Sequence, residues 1–379
     1  MKKFSVMTLT VILLLLLSSI NFIVSAEKSN FLIKDTEELT KEIYIVNTQD
    51  KSSITLTRYV GVKKSPIILI HGMGGNHKMY DFDENHSLPR FLAEQDWDVW
   101  MLDIRTHDGD GDFFFSKESD REYINRYWDF DRTLLKIDVV TAVNYVKNKT
   151  GANKLFLSGH SYGGYLVYAY AEIIGQDNLK GIITTGASPY ANPVKYHESQ
   201  EKEMKKYGRY VGNKAFVKPF GKPWTYIFKF QADRYYNNWK PTANTVFYYN
   251  TTPEYIQRNL IYYLDNEPAG VYVDMYFGKN PYKYGGHWVD PQTLYDYTEN
   301  LDKITVPILF IAGDNDTQDP SKDIYKAYKN VSSSNKKFLS YAKHSHLDLL
   351  LGEEADQLIF PEISNWMDSI VKNNGNINK

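Results

Sequence analysis

Residues 155–164 read LFLSGHSYGG and lead directly into the apolar, tyrosine-rich run at residues 165–174. A short apolar run, then Gly-x-Ser-x-Gly, then a helix-like segment is typical of a serine on a sharp strand-to-helix turn, whose hydroxyl stands above a sheet edge. Such a turn brings its backbone segments close together, so Gly159 and Gly163 are expected where no Cβ atom fits. The pattern therefore predicts that Ser161 is a nucleophile.

Three carboxylates follow the predicted strand at residues 306–313. A serine nucleophile needs a base that removes its proton and an acid that orients the base, and at this kind of turn the chain order is serine, acid, histidine. We predict that Asp316 is the orienting acid, because a loop residue slightly beyond the strand can turn back towards the histidine. Asp314 is the alternative, and Asp319 is expected to cap the helix that begins near Ser321.

The base is expected after the last predicted strand, where the chain reads HSHLD at residues 344–348. His346 is the predicted base, and His344 is the alternative. His160 fills the variable position of the serine turn. His197 and His287 lie in a later segment and are expected to be solvated or packed residues.

The loop after the apolar run at residues 66–70 reads HGMGG at residues 71–75. Acyl transfer passes through an intermediate with an oxyanion, which preorganised backbone N–H groups stabilise. We predict one such N–H at Tyr162, directly after the nucleophile and at a helix start, where the helix dipole assists. The other is predicted at Met73, since the glycines around it let the backbone approach a substrate.

Continuous apolar runs predict strands that are covered on both faces. These runs alternate with helix-like segments, as expected of an α/β protein with a mostly parallel sheet and helices on both faces. Sites in such sheets form at the carboxyl ends of the strands, where the candidates above are placed. Residues 42–46 and 53–60 instead alternate apolar and polar side chains and predict an antiparallel hairpin at a sheet edge. The other predicted strands are 66–70, 98–104, 154–158, 179–186, 306–313 and 336–341, and further helices are predicted at 88–95, 131–148 and 356–371.

Residues 191–300 interrupt the alternation and are predicted to form an inserted cap over the nucleophile. Of these 110 residues, 26 are Phe, Tyr or Trp, whereas such residues make up 15% of the whole chain. This content is typical of an apolar pocket with hydroxyl groups at its rim, and equally of the cap's own core, which is expected to take most of the rings. The cap is expected to select the substrate.

The composition limits the classes of partner and site. A formal charge of −2 over 379 residues provides no basic field that would attract nucleic acid. The absence of cysteine excludes a thiol nucleophile and a cysteine metal site. Residues 108–112 read DGDGD like the start of a calcium loop, but the sixth and twelfth positions are Phe113 and Ser119 instead of Gly and Glu. We therefore expect no metal ion, and because the sequence contains neither a phosphate loop nor a nucleotide fingerprint, we expect no cofactor.

The first residues are predicted to be a secretory signal peptide. Lys2 and Lys3 precede an apolar run at residues 6–17, and the small residues at 24–26 offer a cleavage point. The alternative is an uncleaved membrane anchor, because about 20 apolar residues suffice to span a bilayer. The predicted organisation is a signal peptide at 1–26, a core formed by 27–190 and 301–379, and the cap at 191–300, in a secreted or cell-surface protein.

These motifs resemble the α/β-hydrolase superfamily and, within it, the acid lipase group that includes gastric and lysosomal lipases. The resemblance covers most of residues 60–186 and 303–370. It implies that the serine of the turn, the aspartate closing Gly-x-x-Asp and the histidine of His-Leu-Asp are catalytic, which matches Ser161, Asp316 and His346. The chain departs from the family at Tyr162, where Gln is common, and in the cap. The motifs that carry the resemblance are HG at 71–72, YWDF at 127–130, KID at 136–138, NY at 144–145, KTG at 149–151, GHSYG at 159–163, GDND at 313–316, HLD at 346–348 and Gly352.

The sequence thus predicts an exported serine hydrolase of the lipase or esterase type. Its substrate would be a small-molecule or lipid ester with an apolar acyl group, met during transient contact with a membrane or lipid surface, and its reaction would pass through an acyl-enzyme. Two alternatives stay open. One is a peptidase, thioesterase or acyltransferase with the same triad, and the other is a non-catalytic surface protein whose aromatic cap binds a ligand.

Overall fold

The computed structural model describes residues 39–61, 65–105, 107, 129–190, 251–260, 265 and 283–376, with side chains up to residue 372. The predicted signal peptide at 1–26, the calcium-like loop at 108–112 and most of the predicted cap, including His197, lie outside the described residues. The predicted boundaries of the cap therefore stay a prediction.

One eight-stranded sheet runs through the described part of the chain. Its strands are β1 (Lys41–Asn47), β2 (Ser53–Tyr59), β3 (Pro66–Ile70), β4 (Asp98–Asp103), β5 (Leu155–His160), β6 (Leu179–Thr185), β7 (Ile308–Gly313) and β8 (Lys336–Tyr341). Their spatial order is β1-β2-β4-β3-β5-β6-β7-β8. The pairs β1–β2 and β2–β4 are antiparallel, and all the other pairs are parallel. The predicted mostly parallel sheet and its edge hairpin are both confirmed.

The helices lie between these strands and after the last of them. They are α1 (Leu88–Ala93), α2 (Val140–Thr150), α3 (Tyr162–Ala169), α4 (Glu254–Leu260), α5 (Ser321–Asn330), α6 (Asp348–Leu351), α7 (Ala355–Leu358) and α8 (Phe360–Asn376). A π-helical segment, Phe130–Val139, leads into α2, and another, Tyr170–Ile174, continues α3. Short 3₁₀ helices occupy His77–Met79 and Glu299–Lys303.

Local signals explain where several helices begin and end. The Asp129 carboxylate accepts hydrogen bonds from the backbone N–H groups of Arg132 and Thr133, so it caps the segment that becomes α2. Gly151 ends α2 with a left-handed φ of 71°. The single helix predicted over residues 356–371 is two helices, because Pro361 suits the first turn of a new helix and cannot continue the one before it.

The inner strands are buried on both faces, which explains their uninterrupted apolar sequences. In β3, Ile68 and Ile70 belong to the core on one face of the sheet, whereas Ile67 and Leu69 belong to the core on the other. Successive side chains of a strand point to opposite faces, so a strand covered on both sides needs apolar residues at every position. The loops that follow β3, β5, β6, β7 and β8 carry the candidate site.

Candidate active site

Ser161 lies between β5 and α3 in a backbone conformation that residues other than glycine rarely adopt. Its φ is 53° and its ψ is −118°. The Ser161 N–H donates to the carbonyl of Thr185 at 2.9 Å, and the Ser161 carbonyl accepts from the N–H of Tyr165 at 3.2 Å. These hydrogen bonds to Thr185 in β6 and to Tyr165 in α3 hold the strained turn in place.

Two glycines allow this turn to form. A Cβ on Gly159 would lie 2.2 Å from the backbone of Gly163, and a Cβ on Gly163 would lie 2.1 Å from the carbonyl oxygen of Ile70. Both distances are far below van der Waals contact. The predicted need for glycine at these positions is therefore confirmed, and it arises because β3, β5 and the start of α3 meet there.

Asp316 and His346 form a buried acid–base pair. Asp316 Oδ2 lies 2.7 Å from His346 Nδ1, and both residues are 4% exposed. The second oxygen of Asp316 accepts the backbone N–H groups of Gln318 at 2.7 Å and Asp319 at 2.9 Å. Since Nδ1 of His346 donates to the carboxylate, the neutral ring carries its proton there and Nε2 is the basic nitrogen.

Asp314 and His344, the two alternatives, make other contacts. Asp314 accepts a hydrogen bond from the Ser340 hydroxyl in an exposed position at the edge of the sheet. His344 Nδ1 donates to the carbonyl of Ala342 at 2.9 Å. The structure thus brings together Asp316 and His346, as predicted, whereas their catalytic roles stay a prediction.

The expectation that Asp319 caps a helix is wrong. The residue at the cap position of α5 is Pro320, and no side chain caps that helix. Asp319 is 1% exposed, and its Oδ1 accepts hydrogen bonds from the Tyr165 hydroxyl at 2.6 Å and from the Ser188 N–H at 3.1 Å. Tyr165 and Ser188 follow two other strands of the sheet, and these partners draw the carboxylate inwards, away from α5.

His160 contacts the predicted base directly. Its Nε2 donates to the backbone carbonyl of His346 at 2.9 Å, and the centroids of the two rings are 4.7 Å apart. Complete burial, with a further contribution from His346, lowers the pKa of His160 to about 3. His160 is therefore neutral at physiological pH, and its ring proton lies on Nε2, which donates to the His346 carbonyl.

The loop after β3 is held in one conformation by its own hydrogen bonds. The Gly72 carbonyl accepts from His71 Nδ1 at 2.8 Å and from the Gly75 N–H at 3.0 Å. His71 Nε2 in turn accepts from the N–H of Ile104, which fixes the His71 tautomer with the proton on Nδ1. A Cβ on Gly72 would lie 3.2 Å from the Cβ of Ser161, so this loop runs beside the predicted nucleophile.

Gly186, directly after β6, lies next to the acid–base pair. Its φ is 54°, and a Cβ there would lie 3.4 Å from both Asp316 Oδ2 and His346 Nδ1. The left-handed backbone favours glycine at this position. The loops after β5, β6, β7 and β8 consequently converge on a small volume at one edge of the sheet.

The described parts of residues 251–300 contact the site loops at several points. The Asp348 carboxylate accepts from the hydroxyl and N–H of Thr252 at 2.6 and 3.1 Å, and from the N–H of Ser345 at 2.9 Å. Asp265 Oδ2 accepts from the Asn76 side-chain amide at 2.8 Å. The predicted cap thus touches the loop that carries His346 and the loop that carries Met73.

Aromatic rings make a further contact between the predicted cap and the site. The Trp288 ring lies 5.2 Å from Tyr165 and 5.0 Å from Phe130, and it stacks on Tyr297 at 4.1 Å. His287, expected to be a solvated or packed residue, is half-buried, with its Nδ1 2.8 Å from a carboxylate oxygen of Asp296. These rings join the end of the cap to the helix that follows Ser161.

Comparison with known proteins identifies the family of this fold and site. Residues 65–353 match the alpha/beta hydrolase fold family. The chain belongs to that family. The match spans every strand from β3 to β8 and all the candidate residues, so the α/β-hydrolase fold predicted from the sequence is confirmed.

Relatives of this α/β-hydrolase chain include several lipases. The chain is 24% identical over 311 residues to human lipase member K, covering 76% of this chain and 75% of the relative. It is also 24% identical over 310 residues to rat gastric triacylglycerol lipase, covering 75% of each. The resemblance to the gastric and lysosomal lipase group is thereby confirmed.

Solved structures support the fold of this α/β hydrolase. A putative lipase from Sulfolobus solfataricus matches with a TM-score of 0.61 at 15% identity, covering 87% of this chain and 94% of that one. An esterase from Thermogutta terrifontis matches with a TM-score of 0.54 at 15% identity, covering 87% of this chain and 99% of that one. At this level of identity the likeness concerns the fold alone.

Two further observations hold for the described residues of this α/β hydrolase only. Within those ranges, no helix combines the length and the apolar character that crossing a bilayer requires. Within the same ranges, no group of three or more His, Asp or Glu side chains is arranged to hold a metal ion.

Proposed function

We propose that this chain is an exported serine hydrolase that cleaves carboxylic esters with an apolar acyl group. The lipases among its relatives support a hydrolase of the lipase or esterase type. The observation that carries the finer proposal is that the strained turn of Ser161 adjoins the Asp316–His346 pair, since His160, next to Ser161, bonds to the backbone of His346. This is the arrangement that nucleophilic acyl transfer needs.

The proposed reaction begins with proton transfer. His346 Nε2 takes the proton of the Ser161 hydroxyl as the serine oxygen attacks the ester carbonyl. The Asp316 carboxylate, held by two backbone N–H groups, orients the ring and stabilises the imidazolium that forms. The protonated His346 then gives its proton to the leaving alcohol, and water cleaves the acyl-enzyme with the same base.

The oxyanion is assigned to the N–H groups of Met73 and Tyr162. The peptide bond between Gly72 and Met73 is trans, so the Met73 N–H points opposite to the Gly72 carbonyl. That carbonyl accepts hydrogen bonds from His71 Nδ1 and the Gly75 N–H, inside the loop. That geometry supports a Met73 N–H turned out of its own loop and available to a substrate. The Tyr162 N–H lies directly after Ser161 at the start of α3, where the helix dipole favours a bound negative charge.

The apolar acyl group and export rest on the sequence. The aromatic content of residues 191–300 supports an apolar pocket, and residues 1–26 support secretion. The relatives named for lipase activity agree with an ester or lipid substrate.

Hydrolysis of p-nitrophenyl esters from acetate to palmitate tests the proposal. We expect the purified chain to turn these esters over, and Ser161→Ala to lose at least about a thousandfold in kcat, because the nucleophile is removed. Ser158→Ala, a buried serine on β5 with no proposed role, is the matched control and should retain activity. Full activity of Ser161→Ala would disprove the proposal. Cleavage of thioesters or amides, but not of esters, would show that the proposed ester substrate is wrong.

A further inference from the structure

Asp319 joins the ends of three neighbouring strands, although it is not itself part of the proposed triad. Its carboxylate accepts from Tyr165, in the helix after β5, and from the Ser188 N–H, in the loop after β6. Asp319 itself follows β7, and its N–H donates to Asp316 Oδ1 at 2.9 Å. One buried side chain therefore fixes the relative positions of the segments that carry Ser161 and Asp316.

A continuous series of hydrogen bonds runs from the nucleophile helix to the predicted base. The Tyr165 hydroxyl donates to the Asp319 carboxylate at 2.6 Å, and the Asp319 backbone N–H donates to Asp316 Oδ1. The other oxygen of Asp316 accepts from His346 Nδ1 at 2.7 Å. Each of these groups is buried, so water cannot replace a lost partner. Burial first and Asp319 second raise the pKa of Tyr165, which keeps the hydroxyl protonated and able to donate.

We propose that Tyr165 and Asp319 are positioning residues that hold the Asp316 carboxylate against His346. This inference rests on the proposed function for its kinetic consequence but not for its structural one. Without the Tyr165 hydroxyl, the Asp319 carboxylate still accepts the hydrogen bond from the Ser188 N–H, but it loses the shorter hydrogen bond that fixes its orientation. The turn from Asp316 to Asp319 then has more freedom, and the carboxylate spends less time in the orientation that His346 needs.

Helix α3 offers a matched control in Tyr168. Like Tyr165, it is a fully buried tyrosine on α3, and its hydroxyl lies 3.1 Å from Thr184 Oγ1 and 3.2 Å from the Ala187 carbonyl oxygen. Removal of this hydroxyl also leaves buried polar groups with one partner fewer. The Tyr168 hydroxyl bonds to neither Asp319 nor Asp316, and it is connected to them only through the peptide group of Ala187 and Ser188, whose N–H donates to Asp319. Tyr168→Phe therefore reports mainly the structural cost of such a change.

The experiment compares Tyr165→Phe with Tyr168→Phe in the full-length chain. In Tyr165→Phe we expect kcat to fall about tenfold with KM within about twofold of wild type, since Asp316 acts on the transition state and not on substrate binding. Tyr168→Phe should keep kcat within about twofold. Asp319→Ala should resemble Tyr165→Phe, whereas Asp319→Asn, whose amide oxygen can still accept both hydrogen bonds, should restore most of kcat.

A spectroscopic measurement separates this inference from the proposed function. The proton between His346 Nδ1 and Asp316 gives a downfield proton resonance, which Asp316→Asn identifies by its change. We expect that resonance to move upfield in Tyr165→Phe and to stay unchanged in Tyr168→Phe. An unmoved resonance in a folded Tyr165→Phe, or equal losses of kcat in the two tyrosine variants, would overturn the inference. A wild-type chain that cleaves no ester would refute the proposed function, while the resonance would still decide the positioning role.

Discussion

Single residues at the proposed site adopt states that most positions in a protein avoid. Ser161 has a left-handed φ of 53°, and a strained backbone of this kind costs about 1–3 kcal/mol. His160 is buried without a charge, with its pKa lowered to about 3 by burial and by His346. The surrounding fold maintains the strained Ser161 backbone and the uncharged, buried His160 ring at a cost in stability. Both residues thereby lie close to the Asp316–His346 pair.

We predict that His160 supports activity through its hydrogen bond to the His346 carbonyl. His160→Leu removes the donor and leaves that buried carbonyl with one partner fewer, which costs about 1–3 kcal/mol in such a site. We expect kcat/KM for esters to fall about tenfold. His160→Gln places an amide N–H near the position of Nε2 and should retain most of the activity.

His344→Gln is the control for these variants, since His344 is also buried in the loop before His346 but bonds to Ala342 instead. Steady-state kinetics of the three variants decide the question. Equal activity of His160→Leu and His160→Gln would show that the ring of His160 only fills space.

At the scale of secondary-structure elements, the sequence predicts strands better than it predicts contacts. β8 has the predicted bounds, and the buried strands were recognisable because cover on both faces demands an unbroken apolar run. The role of Asp319 was not predictable, because a local pattern cannot distinguish a helix cap from an acceptor for Tyr165, which is distant in the sequence. The sequence likewise indicates no role for His160, because its partner is the backbone of His346, which is distant in the chain.

The loop after β3 carries a contact that the sequence also does not indicate. Asn76 Nδ2 donates to Asp265 Oδ2 at 2.8 Å, and the Asp265 N–H donates to the Gly74 carbonyl at 2.9 Å. Asn76 Oδ1 meanwhile accepts from the Lys78 N–H and caps a short helix. Asp265, from the predicted cap, therefore braces the loop assigned to oxyanion binding.

This contact predicts a rescue by exchange of the two side chains. Asn76→Asp keeps the cap on Lys78 but places two carboxylates in contact, so we expect kcat for esters to fall about tenfold or more, since like charges at this distance repel strongly. Asp265→Asn alone should have a small effect, because its amide oxygen still accepts from Asn76. The double variant Asn76→Asp/Asp265→Asn recreates one donor and one acceptor and should recover most of the lost kcat.

A double-mutant cycle on kcat measures this coupling, and thermal unfolding of the four proteins serves as the control for folding. Additive losses in the double variant would contradict the pairing. Recovery of thermal stability without recovery of kcat would show that the contact matters for folding alone.

For the molecule as a whole, the described parts of the predicted cap contact three separate segments that surround the proposed site. Thr252 bonds to Asp348 beside His346, Asp265 bonds to the loop of Met73, and Trp288 contacts Tyr165 after Ser161. We therefore expect substitutions that loosen these contacts of the predicted cap to change the positions of the proposed catalytic groups.

His160 gives the stability of the whole chain a dependence on pH whose sign follows from its lowered pKa. An unfolded chain binds a proton to this histidine below its ordinary pKa of about 6.5, whereas the folded chain binds it only near pH 3. Between these values the unfolded state holds more protons, so acidification lowers the free energy of unfolding by about 1.4 kcal/mol per pH unit.

Other titrating groups act in different pH windows or in the opposite direction. Asp103, whose pKa is lowered by His77 against the effect of burial, loses its contribution only below its ordinary value of 3.8. His77, whose pKa Asp103 raises despite burial, contributes below pH 6.5 and loses that contribution as the pH rises. Burial raises the pKa of Glu172 well above 4.5, so this group opposes His160 at mildly acidic pH.

The contribution of His160 is therefore isolated by a difference between two proteins. His160→Gln keeps a donor towards His346 but does not titrate, and every other group is common to both chains. Urea unfolding at several pH values between 4 and 8 gives each free energy of unfolding. We expect the stability of wild type relative to His160→Gln to be constant above about pH 6.5 and to fall by about 1.4 kcal/mol per unit below it. A difference that stays constant down to pH 4 would mean that His160 accepts a proton in the folded chain, which would exclude it as a neutral support for His346.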